Sequence, residues 1–440
     1  MSLEPHKTEV IVIGGGLAGL TVTAFLARAG KSVRLFEQSQ ELGGRARTQE
    51  QDGFLFNLGA HALYRGSYGI EVLRELGIEP KGAQPLTSGG FAIYDNTKHT
   101  LPAGFLSLVT TGLFNFSEKL EVGKLLGALP KLDANALMKV TLKDWLDETI
   151  SHEKVKDLLR ALVRVSSYVN APELMSAGAA IDQLQKAFKK NVLYLDGGWQ
   201  VLVSGVRDVA RQAGAMIETN ANVKLIERAS NGAVRAVRLA DGRVYEGDVV
   251  VIAASPTVAA ALVENSKSTS LARWAQELNV VKAACLDLAL ERLPVENATF
   301  ALGIDKPHYL SVHSAVAALA PEGGVLVHLM KYLPPDEQAK NGDVERELEG
   351  LMDLVQPGWR ETVVHRRFLP ALTVTHAIPT ATMRGIAGRP GPQIEDVDGL
   401  FVVGDWIGNE GLLVDASLAS ARQAANLIVK RNAPQLAKTA

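Results

Sequence analysis

The sequence predicts an α/β fold, with a helix-covered parallel sheet in one unit and a mixed α+β unit beside it. Three observations carry that expectation. A short β-branched run, Val10-Ile11-Val12-Ile13, enters Gly14-Gly15-Gly16-Leu17-Ala18-Gly19. A second apolar run, Asp248-Val249-Val250-Val251-Ile252-Ala253-Ala254-Ser255, reads as a buried strand ending in small residues. A third, Gly399-Leu400-Phe401-Val402-Val403-Gly404-Asp405-Trp406, leads into an Ala-rich helical pattern. Continuous apolar strands separated by helices are the signature of a parallel sheet buried on both faces.

The N-terminal elements follow one another in a functional order. In Gly14-x-Gly16-x-x-Gly19 the first glycine serves the tight turn, the second lets the backbone approach a pyrophosphate, and the third lets helix pack on strand. Leu17 to Ala29 reads as that helix, its N-terminus turned toward anionic oxygens, with Gly30 as its stop signal. Ser32-Val33-Arg34-Leu35-Phe36-Glu37 is the second strand, and the Glu37 carboxylate can accept hydrogen bonds from ribose hydroxyls. A Gly-rich loop of structural use would not require strand, turn, helix, strand and acid in succession. The expected unit is a Rossmann-like dinucleotide-binding βαβ.

Composition narrows the class. The chain has 440 residues, 47% hydrophobic and 21% charged, enough for two or three structural units around a large core. Lys plus Arg number 46 against 48 Asp plus Glu, which gives no electrostatic footprint for nucleic acid. One cysteine, Cys285, excludes an internal disulfide framework and a multi-cysteine metal site, and no metal is expected. The polar start Met1-Ser2-Leu3-Glu4-Pro5-His6-Lys7 leads directly into the first strand, without room for a signal peptide. A cytoplasmic protein is expected, and no apolar run approaches the roughly 20 residues of a membrane span. The Phe-rich segment from Leu101 to Phe116 has two readings, a helix lining an internal cavity or a dip into a membrane surface. Nothing in the sequence speaks to oligomeric state.

Glu41-Leu42-Gly43-Gly44-Arg45-Ala46-Arg47-Thr48 follows the acid almost at once. A di-glycine lets backbone lie against a diphosphate or flavin, and Arg45, with Arg47, supplies fixed donors to phosphate. Here the chain resembles the flavin-containing amine oxidase superfamily, which includes protoporphyrinogen oxidases and the phytoene desaturases with their carotenoid isomerase relatives. The resemblance continues through Phe56-Asn57-Leu58-Gly59-Ala60-His61-Ala62-Leu63-Tyr64, similar to the segment that passes the isoalloxazine, and its C-terminal pattern is closest to the phytoene dehydrogenase-like enzymes. It implies a glutathione reductase-like FAD domain and non-covalent FAD, since Cys285 lies mid-strand and distant in sequence from the C-terminal flavin motif. The implied contacts are Gly14, Gly16, Leu17, Ala18, Gly19, Glu37, Gln38, Gly43, Gly44, Arg45, Gly59, Ala60, His61, Val223 (through its backbone), Gly404, Asp405 (on a ribityl hydroxyl), Leu413 and Val414.

The middle and end of the chain fill in the remaining elements. Tyr194-Leu195-Asp196-Gly197-Gly198-Trp199 is a turn before an amphipathic helix; Ala215 to Thr219 and Val223 to Ile226 read as strands. Ala233 to Leu239 and Val244 to Gly247 form a hairpin turned by Asp241-Gly242, read as separate from the Asp248–Ser255 strand. Leu412 to Val429 is a helix whose N-terminus can stabilise the negative charge of reduced flavin. The expected division is an FAD-binding part from 1–80, 191–265 and 385–440, and a substrate-binding part with a helical lid from 81–190 and 266–384.

Two residues stand as catalytic candidates. The strand Asn279 to Leu290 puts Lys282 on one face with Ala284, Leu286, Leu288 and Leu290, where it either snorkels to water or, as the resemblance implies, reaches flavin N5 through a water. His61 is a second candidate base, or a residue that satisfies a backbone group. The positions matching the tyrosine cage of amine oxidases fall near Leu413 and Val374 and are not aromatic. The resemblance therefore implies an oxidoreductase that moves a hydride from a C–H bond of an apolar or bulky organic substrate to flavin N5, with oxygen, a quinone or another acceptor completing the cycle. Amine or protoporphyrinogen oxidation, redox-neutral isomerisation and a non-catalytic carrier like the Rab GDP-dissociation inhibitors are the alternatives.

Overall fold

A computed structural model describes residues 6–86, 89–335, 337 and 341–431. The polar start at residues 1–5 and the chain end at 432–440 lie outside the described residues. Two seven-stranded sheets organise the rest. In the first, Met216–Glu218, Val33–Phe36, His6–Ile13 and Val244–Ile252 run parallel in that order, and Leu400–Val402 adds to Val244–Ile252. Val10, Ile11 and Val12 are wholly buried: Val10 and Val12 share the core of the helical layer, and Ile11, on the other face, shares one with Val223, Ile226 and Val237 of neighbouring strands and Ala259 of a short helix.

The hairpin and the following strand are one structure rather than two. Val244–Ile252 is a single nine-residue strand. From Tyr245 to Ile252 it pairs parallel with His6–Ile13, while on its other side the first half pairs antiparallel with Val234–Leu239 and the second half parallel with Leu400–Val402. A polar interruption at Glu246-Gly247-Asp248 suggested a break, but the ladder runs through it because neighbours on both sides supply backbone partners.

The helix Leu17–Arg28 packs against Gln200–Gln212 and Leu413–Arg431. Leu20, Val22 and Leu26 vanish into this layer, each contributing about 1.5–3 kcal/mol by burial. Gly19 permits the approach to the strand, since a Cβ there would lie 1.9 Å from the Gly14 carbonyl oxygen.

The second sheet runs Val363–Thr375, Val281–Leu290, Val325–Leu333, His308–Val312, Phe300–Gly303, Gly90–Tyr94, Thr97–Thr100. On one face it meets Asn341–Val355 through Leu286, Leu288 and Leu348. On the other, Ala283, Cys285 and Met330 pack against Ala60. The helices Phe105–Thr110, Phe116–Ala128, Leu142–Thr149, Glu153–Ser167 and Ala177–Lys190 share a separate core with this sheet. The Phe-rich segment does not line the internal cavities described below: it breaks after Thr110, Leu108, Leu113 and Phe114 turn inward, and Phe105, Leu106 and Phe116 face solvent at 84%, 74% and 78% exposure. No helix among the described residues is long and apolar enough to cross a membrane.

Candidate active site

The strand ends of the first sheet open on a cavity of about 560 Å3. Gly14, Gly16, Leu17, Ala18, Glu37, Gln38, Gly43, Gly44, Arg45, Val223, Gly404 and Asp405 line it, gathered from four distant parts of the chain. Gly14 turns the chain with φ +106, and its amide donates to the Phe36 carbonyl at 2.8 Å, tying turn to second strand. A Cβ there would sit 2.5 Å from the Ala253 carbonyl oxygen. Gly16 and Gly44 instead border the open cavity, where a methyl group would occupy the space a diphosphate needs.

Glu37 holds the turn as well as facing the cavity. Its Oε2 accepts from the Gly15 amide at 2.6 Å and its Oε1 from the Ser39 amide at 2.8 Å. Each carboxylate oxygen keeps a further lone pair, so the group can still accept from a ribose.

Arg45 is not a free phosphate ligand in this structure. Its Nη1 donates to Asp405 Oδ2 at 2.5 Å and to the Val374 carbonyl at 2.6 Å. Asp405 also receives His376 Nδ1 at 3.0 Å. Burial pushes the Asp405 carboxyl up, but Arg45 and His376 outweigh it and hold the group well below the usual carboxylate range.

A smaller cavity of about 90 Å3 continues beyond Arg45, sharing Leu58, His61, Trp199 and Val414 with the first. Its remaining lining is Ala60, Ala62, Tyr168, Cys285, Met330, Leu372, Thr373, Val374 and Leu413. Gly59 lies directly behind this wall at φ +77, where a Cβ would meet the Cys285 sulfur at 2.9 Å. His61 Nδ1 is 3.1 Å from the Gly59 carbonyl, and its ring sits edge-on to Trp199 at 4.9 Å. Desolvation first of all depresses the His61 pKa from 6.5 to about 4, so the ring is neutral near pH 7. The helix Leu413–Arg431 starts at the cavity, with Leu413 in the left-handed region at φ 57.

The larger cavity suits the adenine, ribose and pyrophosphate of FAD, and the smaller one its flavin end. Trp199 Nε1, buried without a partner among the described residues, borders both and offers a donor to the group held there. Residues 17–429 match the family described as flavin containing amine oxidoreductase. The chain belongs to that family. It is 28% identical over 279 residues to the 15-cis-phytoene desaturase of Solanum lycopersicum, covering 58% of this chain and 47% of the relative. The chain thus spans about half the length of the curated relatives it matches. An oxidoreductase from Methanosarcina mazei superposes with TM-score 0.76 at 19% identity, over 95% of this chain and all of that one. A putrescine oxidase bound to putrescine superposes with TM-score 0.72 at 16% identity, over 97% and 99% of the two chains. The family is one of FAD-dependent oxidoreductases, and the two cavities fit that cofactor.

Within this family member, two expectations change. Lys282 does not reach the flavin end: it is exposed, on the sheet face of Ala284, which packs toward Val344. The strand's odd-numbered residues, Ala283 and Cys285, point to the cavity instead, because side chains alternate and Cys285 opposite Met330 sets the phase. Cys285 is therefore close to the flavin motif, sharing a cavity with Leu413 and Val414 despite its distance in sequence. Burial raises its thiol well above the ordinary value, which disfavours the thiolate that a covalent link would need.

Leu413 and Val374 do line the cavity without an aromatic ring, and aromatic residues reach it from other parts of the chain, Tyr168 and Trp199. Tyr168, left-handed at φ 64, donates its hydroxyl to the Ala60 carbonyl at 2.9 Å. It comes from the C-terminus of the helix Glu153–Ser167, and no spacing in the sequence links it to the flavin segments. The register pairing Cys285 with Met330 was equally beyond reach.

Proposed function

We propose that the protein oxidises a C–H bond of a largely apolar organic substrate, in the manner of a phytoene desaturase. The observation that carries this reading is the apolar wall of the smaller cavity, where Leu58, Ala60, Cys285, Met330, Leu372 and Leu413 surround the flavin end. Bound FAD would supply the acceptor for a hydride at N5. Leu372 and Met330 would exclude water from the reacting carbon, and neutral His61 would offer an acceptor for the proton lost beside it. The name of the tomato relative supports a polyene substrate.

An amine substrate is the second reading, favoured by the aromatic walls of Tyr168 and Trp199. No carboxylate is among the residues lining that cavity, which leaves an ammonium group without a counter-ion.

The chain is read as two discontinuous parts, with 1–80, 191–265 and 385–440 holding FAD and 81–190 and 266–384 facing the substrate. Peripheral membrane contact is proposed through Phe105, Leu106, Val109, Phe116 and Leu120, all exposed on consecutive helices. Lys124 and Lys131 are exposed beside these residues, where a lipid phosphate could meet them. Reoxidation by oxygen or a quinone completes the cycle.

Anaerobic mixing of the flavin-loaded protein with carotenoids, porphyrinogens and amines tests the substrate class. Bleaching near 450 nm by a polyene alone supports the desaturase reading. Bleaching by an amine overturns it, and double-bond isomerisation without net bleaching assigns redox-neutral chemistry.

A further inference from the structure

Arg389 lines neither cavity and is 7% exposed. Its terminal nitrogens go to backbone carbonyls: Nη1 donates to Asp405 at 3.0 Å and Nη2 to Gly411 at 2.6 Å. Nε has no partner among the described residues. The carbonyl of the next residue, Pro390, accepts from the Gly408 amide at 2.8 Å. Residues 389 and 390 thus hold the loop between the strand Leu400–Val402 and the helix Leu413–Arg431 at three points, residues 405, 408 and 411.

That loop has a shape that needs holding. Gly408 and Gly411 are left-handed at φ 78 and 69, and the chain then enters the helix through Leu413 at φ 57. Glycine takes this conformation freely, but a side chain as bulky as leucine does so only where its surroundings over-determine the backbone. Both ends of the loop face the ligand space: Asp405 borders the larger cavity and Leu413 the smaller. Arg389 sits behind them. A guanidinium is a costly tie for two carbonyls: burial pushes this one down from 12.5 to about 10, and the Asp405 carboxylate is the one opposing charge among the described residues that reaches it. A neutral donor could satisfy either carbonyl alone. What the guanidinium adds is a planar fork, two donors at a fixed angle that set the separation of the Asp405 and Gly411 carbonyls.

We infer that Arg389 is a positioning residue for FAD, whose fork sets the 405–411 loop so that Asp405 and left-handed Leu413 meet the cofactor already in place. The inference depends on FAD occupying the two cavities and is independent of the substrate oxidised there. Without the fork the two carbonyls separate, Leu413 relaxes toward an ordinary backbone, and the first turn of the last helix shifts away from the flavin end. The cost of re-ordering the loop then falls on FAD binding, so the cofactor leaves faster.

The test is the rate of FAD release from the loaded full chain on dilution, with the visible circular dichroism of the bound flavin, in Arg389→Met and Arg389→Lys. Release about tenfold faster and an altered flavin band are expected in both, well below their unfolding midpoints, because a lysine keeps the charge but not the fork. Wild-type release and band in Arg389→Met, with only stability lowered, overturn the inference; so does Arg389→Lys behaving as wild type, which would leave charge alone as the requirement. The effect of Arg389→Met should be smaller in a Leu413→Gly chain, where the left-handed backbone needs no support; an undiminished effect shows that the loop is not the route and overturns it too. If the Arg389 variants do not fold, hydrogen exchange in the loaded wild type decides: amides of 405–413 as protected as those of Leu400–Val402 are expected, and exchange at the rate of an exposed turn is fatal to the idea. A wild-type chain that takes up no FAD fails the cofactor reading; a loaded chain indifferent to Arg389 fails only this inference.

Discussion

Arg45 Nη1 lies 2.5 Å from Asp405 Oδ2, an ion pair between residues 360 apart in the chain that closes the first cavity onto the second. Asp405 is 3% exposed and Arg45 faces the cavities, so the arginine compensates a buried carboxylate while bordering the ligand space. Arg45→Met leaves that carboxylate with His376 as its remaining side-chain partner. Equilibrium urea unfolding is expected to show a loss of roughly 1–3 kcal/mol together with weaker FAD retention. Asp405 also gives the pair a pH sign. Its folded pKa is depressed below the ordinary 3.8, so its stabilisation is complete well above that value and is lost as acid carries pH down toward the folded value. Asp405→Asn should remove this acid-side component.

His61 acts with the same sign over a different window. Its folded pKa is lowered from 6.5 to about 4, so between those values the unfolded chain binds the proton first and stability falls as pH falls. His61→Phe should flatten the dependence there by up to about 3 kcal/mol, read from unfolding midpoints at successive pH values.

Gly59 combines a left-handed backbone with a close sulfur. Gly59→Ala is expected to cost about 2–4 kcal/mol, from backbone strain at φ +77 and from the 2.9 Å approach to Cys285. Cys285→Ala in the same chain should recover the packing part alone, a partial rescue visible in a double-mutant cycle. Full rescue would show that backbone strain is absent.

Lys282 lies across the sheet from the flavin end. Lys282→Met should leave anaerobic flavin reduction and aerobic reoxidation unchanged and alter stability by less than about 0.5 kcal/mol. A large slowing of either half-reaction would place the lysine in the chemistry after all.

The exposed apolar helices make a separable prediction. Phe105→Ser with Phe116→Ser should abolish sedimentation with vesicles containing an anionic phospholipid and leave the flavin spectrum intact. Lys124→Glu with Lys131→Glu should weaken binding to anionic vesicles, most at low salt. Undiminished vesicle binding by the Phe variant would contradict the proposed surface.

Local chemistry determined much of this protein from the sequence. A β-branched run, a glycine turn, a helix and a terminal acid each act over a few residues, so Gly14, Gly16, Glu37 and the Gly43-Gly44-Arg45 turn were recognisable before any fold was known. The same holds for the Gly404-Asp405 strand end and for the apolar helix that follows it. What the tertiary structure alone decided is which side chains share a wall. Lys282 and Cys285 are three residues apart on one strand, and only the pairing of Cys285 with Met330 sends the cysteine to the flavin end and the lysine to solvent. Tyr168 and Trp199 reach the same cavity, and Arg45 reaches Asp405, through chain crossings that no local periodicity encodes. Asp287, His328 and Arg367 assemble across three neighbouring strands. A strand's alternation is written in its own residues, but its phase relative to the cavity is set by the register of its neighbours, and that exists only in the folded sheet.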